Sequence, residues 1–308
     1  MQIYHTLTPA SAPQDSAVAL GYFDGVHSGH RAVLGAAVTY AAQHGLTAAA
    51  FTFELPGNNS LKGGRILSLA QKHTRVAQLG IAQYWEPSFE EFRALSPEDF
   101  VRRVLVDCFH AKAVFCGDNF TFGAYAAGNV ALLEQLCAPY GITVDVVPMA
   151  QYGGQTVSST RIRAALEEGR LDDANAMLGK PYAIDWAVTH GKGIGSGKLG
   201  TPTINQNYPA EALQPCTGVY LTRILLDGQW WPAATGIGRR PTVDSSANAA
   251  VTCETFVPDY VGNVYGQTPL LEFHKYLCPV RKFNSMDELA ALIHHAAEES
   301  KAYFAAQH

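Results

Sequence analysis

The chain has 308 residues, of which 47% are hydrophobic and 16% charged, and its formal net charge of −5 comes from 22 basic and 27 acidic residues. This length suffices for two ordinary domains, and the composition excludes a disordered protein. The negative net charge and the lack of a long basic run exclude electrostatic, sequence-independent binding of DNA or RNA, so we predict no nucleic-acid partner.

Targeting signals are not evident either. The longest apolar runs, such as residues 46–53, are too short to span a bilayer. Residues 1–20 contain no Lys or Arg and no continuous apolar block, which argues against a secretory signal. The six cysteines show no C-x-x-C spacing, which is typical of reduced, structural thiols. We therefore expect a cytoplasmic protein with no membrane partner.

The first half of the chain alternates strand-like and helix-like stretches. Residue 96 is a serine followed by proline and two acids, a typical helix start. Strands are predicted at the apolar runs of residues 18–21, 46–53, 111–117 and 142–147. Helices are predicted at residues 31–43, 97–107 and 129–140. This alternation predicts an α/β domain with a Rossmann-like, mostly parallel sheet that binds ligands at the strand carboxyl ends.

After about residue 180 the pattern becomes β-rich. Strand-like runs occur at residues 219–225 and 249–257, with turns at residues 227–228 and 262–263. A capping box at residues 285–288 predicts the start of a final helix. This half is predicted to be a small antiparallel β-barrel with a C-terminal helix. Gly179, Lys180 and Pro181 have linker chemistry, so we expect domains at residues 1–180 and 183–308.

The most informative stretch is residues 21–30, G-Y-F-D-G-V-H-S-G-H, between a predicted strand and a predicted helix. Backbone amides at a helix start point at an anion, and the glycines allow a phosphate to approach the backbone. His27 and His30 are three residues apart, so both imidazoles lie on one side of the helix entry. There they suit the charge that develops on a phosphate during transfer. A polar loop with two surface histidines is the alternative interpretation.

A second helix start follows at residues 157–163, V-S-S-T-R-I-R. Its hydroxyls are suited to cap a helix whose dipole favours anions, and Arg163 lies within the first turn, where it could neutralise a triphosphate. An ordinary N-cap with two solvated arginines is the alternative.

The second half contains a glycine-rich loop at residues 190–200, with five glycines and two lysines, followed by T-P-T-I-N. Such a loop can wrap phosphates with its amides. The Thr203 hydroxyl and the Asn205 carbonyl, two residues apart on an extended segment, can hold Mg²⁺ beside ATP oxygens. A plain hairpin is the alternative.

Glu254 lies in a predicted strand, on the face opposite to Cys253 and Thr255. A carboxylate in this position could accept a hydroxyl proton. A solvent-facing strand glutamate is the alternative interpretation.

Several motifs together resemble one family. Residues 21–30 resemble the H-x-G-H signature of nucleotidyltransferases, in the form found in bacterial bifunctional riboflavin kinase/FAD synthetases. Five further segments resemble motifs of that family in the expected order: residues 116–123, 157–163, 190–205, 236–242 and 253–255. The resemblance spans about residues 15–300. It implies a nucleotidyltransferase domain that adenylates FMN with ATP to FAD and pyrophosphate, followed by a kinase domain that phosphorylates riboflavin to FMN.

The resemblance also implies residue roles, with riboflavin, FMN, FAD and ATP as small-molecule partners. The residues implied in transition-state stabilisation and general-base catalysis are His27, His30, Arg163 and Glu254. Those implied in ATP binding are Gly21, Phe23, Gly29, Ser159, Thr160, Gly191, Gly195 and Gly197. Those implied on the flavin side are Asn119, Phe120 and Phe122. Thr203 and Asn205 are the expected Mg²⁺ ligands.

Three departures from the family pattern bear on the kinase half. Thr201, Ile204 and Cys278 stand where the family usually has phenylalanine, alanine and arginine. We expect them to weaken flavin binding, because an aromatic face and an arginine fork supply contacts that these side chains cannot. A single-activity nucleotidyltransferase and a flavin sensor or store without turnover remain alternatives, and a weak homo-oligomer is left open.

Overall fold

A computed structural model describes residues 1–8, 14–55, 63–190, 203–239, 251–279 and 286–306. The chain forms two compact units. The first comprises residues 1–61 and 69–159, and the second comprises residues 62–68 and 160–308. No helix in the described ranges is long and apolar enough to cross a membrane.

The first unit is built on a six-stranded sheet in which every neighbouring pair is parallel. Its strands are β1 (Gln2–Tyr4), β2 (Ser16–Leu20), β3 (Thr47–Phe51), β4 (Gln83–Trp85), β5 (Ala111–Gly117) and β6 (Thr143–Val147). They are arranged in the order β1-β4-β3-β2-β5-β6. All five residues of β2 are buried, as expected for a central strand covered on both faces. The predicted parallel α/β sheet is confirmed.

Helices connect these strands. They are α1 (Ser28–His44), α2 (Leu69–Gln78), α3 (Pro97–Asp99), which continues as a π-helix at Phe100–Cys108, and α4 (Val130–Cys137). Helix α5 (Ser159–Glu167) begins at the last residue of this unit and belongs otherwise to the second unit. Short 3₁₀ turns lie at Phe89–Glu91, Ala124–Ala126 and Ala138–Tyr140, and a small hairpin joins β7 (Gln151–Tyr152) to β8 (Gln155–Thr156). The predicted start at Ser96 is confirmed, because its side chain accepts a hydrogen bond from the Asp99 backbone N–H at 3.1 Å.

An aromatic cluster fills one side of this sheet. The Phe51 ring makes edge contacts with Phe92, Phe100 and Phe109 at centroid distances of 5.2, 5.6 and 6.1 Å. Each such pair contributes about 0.5–1.5 kcal/mol beyond the burial of its surface. Phe51 is the last residue of β3, so this packing holds the carboxyl end of that strand in place.

The second unit contains a curled, half-barrel antiparallel sheet and two further helices. Its strands are β9 (Tyr182–Ile184), β10 (Val188–Thr189), β11 (Thr203–Asn207), β12 (Gly218–Leu226), β13 (Gln229–Arg239), β14 (Val251–Phe256) and β15 (Leu271–Cys278). They are arranged in the order β10-β11-β14-β13-β12-β15-β9. The helices are α6 (Leu171–Leu178) and α7 (Met286–Ala305). The predicted antiparallel domain with a C-terminal helix is confirmed.

The turn between β12 and β13 explains their register. Asp227 and Gly228 have φ values of 51° and 78°, which a two-residue hairpin turn requires at both positions. The strands it joins pair along their whole length, from Leu226 opposite Gln229 to Gly218 opposite Ile237. The predicted turn at residues 227–228 is confirmed.

One face of the second sheet buries hydroxyl groups. Thr235 Oγ1 lies 2.8 Å from Thr222 Oγ1 and 3.0 Å from Thr255 Oγ1, so the three hydroxyls satisfy one another in the interior. Helix α7 covers part of the opposite face, where Ala296 and Ala297 pack in one cluster with β13 and β14. Glu254 belongs to that opposite face, because it alternates with the inward Thr255 along β14.

Candidate active sites

Residues 21–30, here called the histidine loop, lie at the point where the parallel sheet changes its winding direction. From β2 the chain passes to β3 on one side, and later returns to β5 on the other. Residues 21–30 follow β2, and Asn119 lies in the loop that follows β5. Two motifs distant in sequence thus come from the carboxyl ends of neighbouring strands. In sheets of this kind ligands bind in the crevice at such a reversal.

The backbone of this loop is strained at two non-glycine residues. Phe23 and Val26 have φ values of 55° and 43°, and Gly25 between them has 83°. Such positions cost about 1–3 kcal/mol each and cluster at functional sites. A Cβ on Gly21 would lie 2.7 Å from the Phe23 ring, so the close approach of that ring requires glycine. Contacts of Gly21, Phe23 and Gly29 with ATP remain predictions.

His27 and His30 form a stacked pair at the start of α1. Their ring centroids are 3.6 Å apart with an interplanar angle of 19°. His27 is the N-cap residue, and its Nδ1 accepts a hydrogen bond from the His30 backbone N–H at 3.3 Å. Because Nδ1 accepts, the neutral His27 ring carries its proton on Nε2, where it is a donor. The predicted placement of both imidazoles on one side of the helix entry is confirmed.

Burial keeps both rings uncharged. Burial, reinforced by the charge of Arg31, lowers the pKa of His27 from its ordinary value of 6.5 to about 4. Burial also lowers the pKa of His30 well below its ordinary value, and His27 and Lys72 act in the same direction. Both histidines are therefore neutral at pH 7, so each ring offers an N–H dipole and no net charge. The alternative of two surface histidines is wrong for His27, which is buried.

Ser159, the first residue of α5, is tied to the histidine loop. Its Oγ donates a hydrogen bond to the Asp24 carbonyl oxygen at 2.9 Å. Asp24 is itself buried. The start of the second predicted anion-binding helix is thus fixed against the loop that carries the first.

Other predicted residues of the first site are placed as follows. Asn119 is exposed, Phe120 is half-buried, and Phe122 is buried in the core against Phe100. Thr160 is exposed, whereas Arg163 is buried and its Nε donates to the Gly64 carbonyl oxygen at 3.1 Å. The alternative of a solvated Arg163 is therefore wrong. Its role towards a triphosphate, and those of the flavin-side residues, remain predictions.

Lys72 is a buried cation near His30 that sequence reasoning missed. It lies on α2, is buried, and donates from Nζ to Thr52 Oγ1 at 3.3 Å. Its Nζ also lies 5.1 Å from the centroid of the Tyr22 ring, and its charge contributes to the lowered pKa of His30. A single lysine in a stretch rich in polar residues carries no signal of burial, so only the packing of α2 could reveal it.

The predicted kinase residues meet through strand register. Asn205 on β11 lies opposite Glu254 on β14, and Glu254 lies opposite Gly236 on β13. Asn205 is buried, and its Nδ2 donates to the Thr203 carbonyl oxygen at 3.1 Å and to Thr203 Oγ1 at 3.4 Å. Directly opposed residues on paired strands project to the same face. The sheet therefore brings Thr203, Asn205 and Glu254 together on one face.

Part of the predicted kinase site lies outside the described residues. This holds for the glycine-rich loop with Gly191, Gly195 and Gly197, for Thr201, and for residues 240–242. His190, the last described residue before that loop, stacks on the Tyr265 ring at a centroid distance of 3.9 Å.

Known proteins match both halves of the chain. The FAD synthetase family matches residues 10–161, and the riboflavin kinase family matches residues 178–304. A bifunctional riboflavin kinase/FMN adenylyltransferase of Bacillus subtilis is 33% identical over 296 residues, covering 94% of this chain and 92% of the relative. Its counterpart from Pseudomonas fluorescens is 32% identical over 278 residues, covering 89% and 88%.

The chain belongs to the bifunctional riboflavin kinase/FMN adenylyltransferase family. Membership in this family confirms the resemblance drawn from the motifs and the assignment to an enzyme class. The fold agrees: a crystal structure described as a macrolide-efflux protein from Streptococcus pneumoniae matches with a TM-score of 0.85 at 25% identity, covering 97% of this chain and 98% of that one. Efflux is named for that protein, and no residue described above argues for it here.

Proposed function

We propose that this riboflavin kinase/FMN adenylyltransferase family member makes FAD from riboflavin in two ATP-dependent transfers. The kinase step yields FMN and ADP, and the adenylyl transfer yields FAD and pyrophosphate. The observation that carries the proposal is that each unit contains its own set of transfer residues. His27 and His30 stack at a helix start beside the winding reversal, and Asn205 lies opposite Glu254 in the second sheet.

In the adenylyl transfer, an FMN phosphate oxygen attacks the α-phosphorus of ATP, and the bond to the pyrophosphate leaving group breaks. No covalent enzyme intermediate is needed, so the protein contributes positioning and charge stabilisation. The neutral His27 ring donates from Nε2 to the α-phosphate, and His30 supports it by stacking. Neutral donors suit this task because their hydrogen bonds strengthen as negative charge develops in the transition state. A charged ring would also bind the ATP phosphate tightly before the reaction, which does not lower the barrier.

In the kinase step, Glu254 accepts the proton of the riboflavin 5′-hydroxyl as that oxygen attacks the γ-phosphorus of ATP. The new O–P bond forms while the bond to ADP breaks. Gly236, opposite Glu254, has no side chain, and a Cβ built there would come no closer than 3.9 Å to the Glu254 carbonyl oxygen. Among the described residues, the space over Gly236 is therefore open on the face that Glu254 shares.

Thr203 and Asn205 fit the Mg²⁺ that such a transfer requires. Mg²⁺ prefers oxygen ligands, and this segment offers a hydroxyl and an amide carbonyl on one face. Asn205 directs its Nδ2 towards Thr203 in this structure, so its amide would turn by half a rotation to bring Oδ1 beside the Thr203 hydroxyl for a shared ion. Bound there, Mg²⁺ would neutralise charge on the ATP phosphates.

We place the division of labour at the linker, with adenylyl transfer in residues 1–180 and phosphorylation in residues 183–308, and the reaction in the cytoplasm. The proposed partners are small molecules: riboflavin, FMN, FAD and ATP.

Incubation of the purified protein with riboflavin, ATP and Mg²⁺, followed by chromatography of the flavins, tests the proposal. We expect FMN and FAD together, and neither after chelation of Mg²⁺. FMN alone would indicate a single-activity kinase. FAD formed only when FMN is supplied would indicate a single-activity adenylyltransferase. Riboflavin that binds and returns unchanged would indicate a sensor and refute the proposal.

A further inference from the structure

A second cluster of ligand-type side chains lies at the carboxyl ends of the strands towards the β1 edge of the parallel sheet. His5 follows β1, Glu86 follows β4, and Glu54 lies just beyond β3. These strands are neighbours at the edge of the sheet, so their carboxyl ends bring the three side chains together. One nitrogen of His5 and one carboxylate oxygen each of Glu54 and Glu86 all lie within 4.8 Å of one another. Nothing in the proposed transfers uses them.

The Glu86 carboxylate is the unusual member of this cluster, because it is only 1% exposed. His73 on α2 brings its Nε2 to 2.8 Å from Glu86 Oε1, and His5 Nδ1 lies 3.5 Å from the same oxygen. Within the described part of the chain, neither Glu86 oxygen makes a hydrogen bond, and His73 Nε2 makes none either. A buried carboxylate without hydrogen bonds is costly unless a cation compensates its charge.

The geometry at Glu86 is not that of a hydrogen bond. His73 Nε2 and Glu86 Oε1 are as close as a hydrogen-bonded pair but are not aligned as one. Two atoms bound to one ion of tetrahedral geometry at about 2.1 Å lie about 3.4 Å apart, close to the 3.5 Å between His5 Nδ1 and Glu86 Oε1. The donor atoms of His5, Glu54 and Glu86 already lie within 4.8 Å of one another, so side-chain rotations can bring them to this spacing. His5 is exposed and Glu54 half-exposed, which leaves both free to rotate.

We propose that His5, Glu54, His73 and Glu86 bind one divalent transition-metal ion of the Zn²⁺ type. Imidazole nitrogens mixed with carboxylate oxygens suit such ions, whereas Mg²⁺ favours oxygen ligands and retains water. The ion ties the three-residue edge strand β1 to β4, β3 and α2, and so stabilises the first unit. The alternative is a plain ion pair between Glu86 and a protonated His73, which binds no metal.

Zn²⁺ binding to the full chain tests this proposal. Chelator-treated, untagged protein is titrated with Zn²⁺ by calorimetry in excess Mg²⁺, without ATP or flavin, and its thermal unfolding is followed with and without Zn²⁺. Glu86→Gln keeps the size of the side chain but removes its charge, and His5→Ala removes an exposed ligand. His44→Ala, an exposed histidine on α1, is the matched control. The histidine loop is intact in all of these variants, so any Zn²⁺ that it binds cancels in the comparison.

We expect wild type and His44→Ala to bind one more Zn²⁺ than Glu86→Gln, and Zn²⁺ to raise their unfolding temperature but not that of Glu86→Gln. His5→Ala should bind the ion about tenfold more weakly or worse. Equal Zn²⁺ binding by wild type, Glu86→Gln and His5→Ala would overturn the proposal. If Glu86→Gln does not fold, His5→Ala decides, because its change lies on the surface. These measurements involve no substrate, so their outcome is independent of the test of FAD synthesis.

Discussion

The two transfer sites are positioned by different structural devices. In the first unit His27 ends the strained loop that follows β2, His30 lies in the first turn of α1, and the two rings stack on each other. In the second unit Asn205 and Glu254 lie far apart in sequence and meet only because β11 pairs with β14. The first site therefore depends on a local conformation and on burial, which lowers histidine pKa values. The second depends on strand register, and a slip of one residue would turn Glu254 to the opposite face.

The largest expected effect separates the two sites outright. His27→Ala combined with His30→Ala should abolish FAD formation, since loss of one preorganised donor already costs about 10²–10³ in rate. FMN formation should remain near wild type, because both residues belong to the first unit. Flavins are resolved by chromatography after incubation with riboflavin and ATP. His44→Ala, on the same helix, should leave both activities unchanged. An equally steep fall in FMN formation by a folded double variant would refute the division of labour.

Glu254→Gln tests the second site in the same assay. Loss of a general base should slow riboflavin phosphorylation by about 10²–10⁴, while adenylylation of supplied FMN stays unchanged. Glu298→Gln, an exposed carboxylate on α7, is the control and should affect neither rate. A kinase rate within a few-fold of wild type would assign Glu254 to the solvent-facing alternative.

The contrast also predicts that the C-terminal part of the second unit, without residues 62–68, works by itself. A fragment of residues 160–308 should phosphorylate riboflavin and make no FAD. It should be more stable than a fragment of residues 183–308, which lacks the buried Tyr182 and the α6 residue Asn175. Asn175 accepts from the Tyr182 backbone N–H at 2.7 Å and donates to the Phe273 carbonyl oxygen at 2.9 Å. Each such hydrogen bond contributes about 1 kcal/mol, and burial of the Tyr182 ring contributes more.

Flavin chromatography and thermal unfolding of both fragments check this prediction. The two-module account fails if residues 160–308 unfold cooperatively yet form no FMN at saturating ATP and riboflavin.

Buried histidines make the first unit sensitive to acid. Between pH 6.5 and about 4 the unfolded His27 binds a proton that the folded one excludes, so stability is full above pH 6.5 and is lost as the pH falls. The loss from His27 amounts to about 3 kcal/mol. His27→Asn keeps a good N-cap but does not titrate, so its stability should decline less over this range. Urea unfolding at pH 7 and pH 4.5 compares the variants. Parallel decline in both would show that His27 titrates normally in the folded chain.

Sequence reasoning predicted the local site better than the dispersed features. The histidine loop could be predicted because strand, turn, glycines and helix start follow one another in ten residues. The alternation of Glu254 and Thr255 could also be predicted, because side chains in a strand alternate between faces. The pairing of Asn205 with Glu254 could not, since register depends on contacts between distant segments. Strand β1, helix α2 and the buried Lys72 were missed for the same reason: short or polar segments acquire their burial from tertiary packing.

The smallest expected effect concerns flavin affinity in the second site. Cys278 ends β15 with a half-buried side chain, opposite Val219 on β12. An arginine there would present a planar fork able to hydrogen-bond and stack, which a thiol cannot do. Cys278→Arg should therefore lower the KM for riboflavin by a few-fold, about 1 kcal/mol or less, with kcat unchanged, because the contact is uniform between ground and transition state.

Steady-state kinetics of FMN formation across riboflavin concentrations measures this effect, and Cys278→Lys is the matched control, since it adds charge without the fork. A gain shared equally by lysine and arginine would show that a positive charge or a longer side chain suffices and that the planar fork is not needed. An unchanged KM in both variants would mean that position 278 does not contact the flavin, and the resemblance at the end of β15 would then carry no functional weight. Neither result would alter the proposal for Glu254, because the proposed role of that residue is to accept a proton and not to bind the flavin ring.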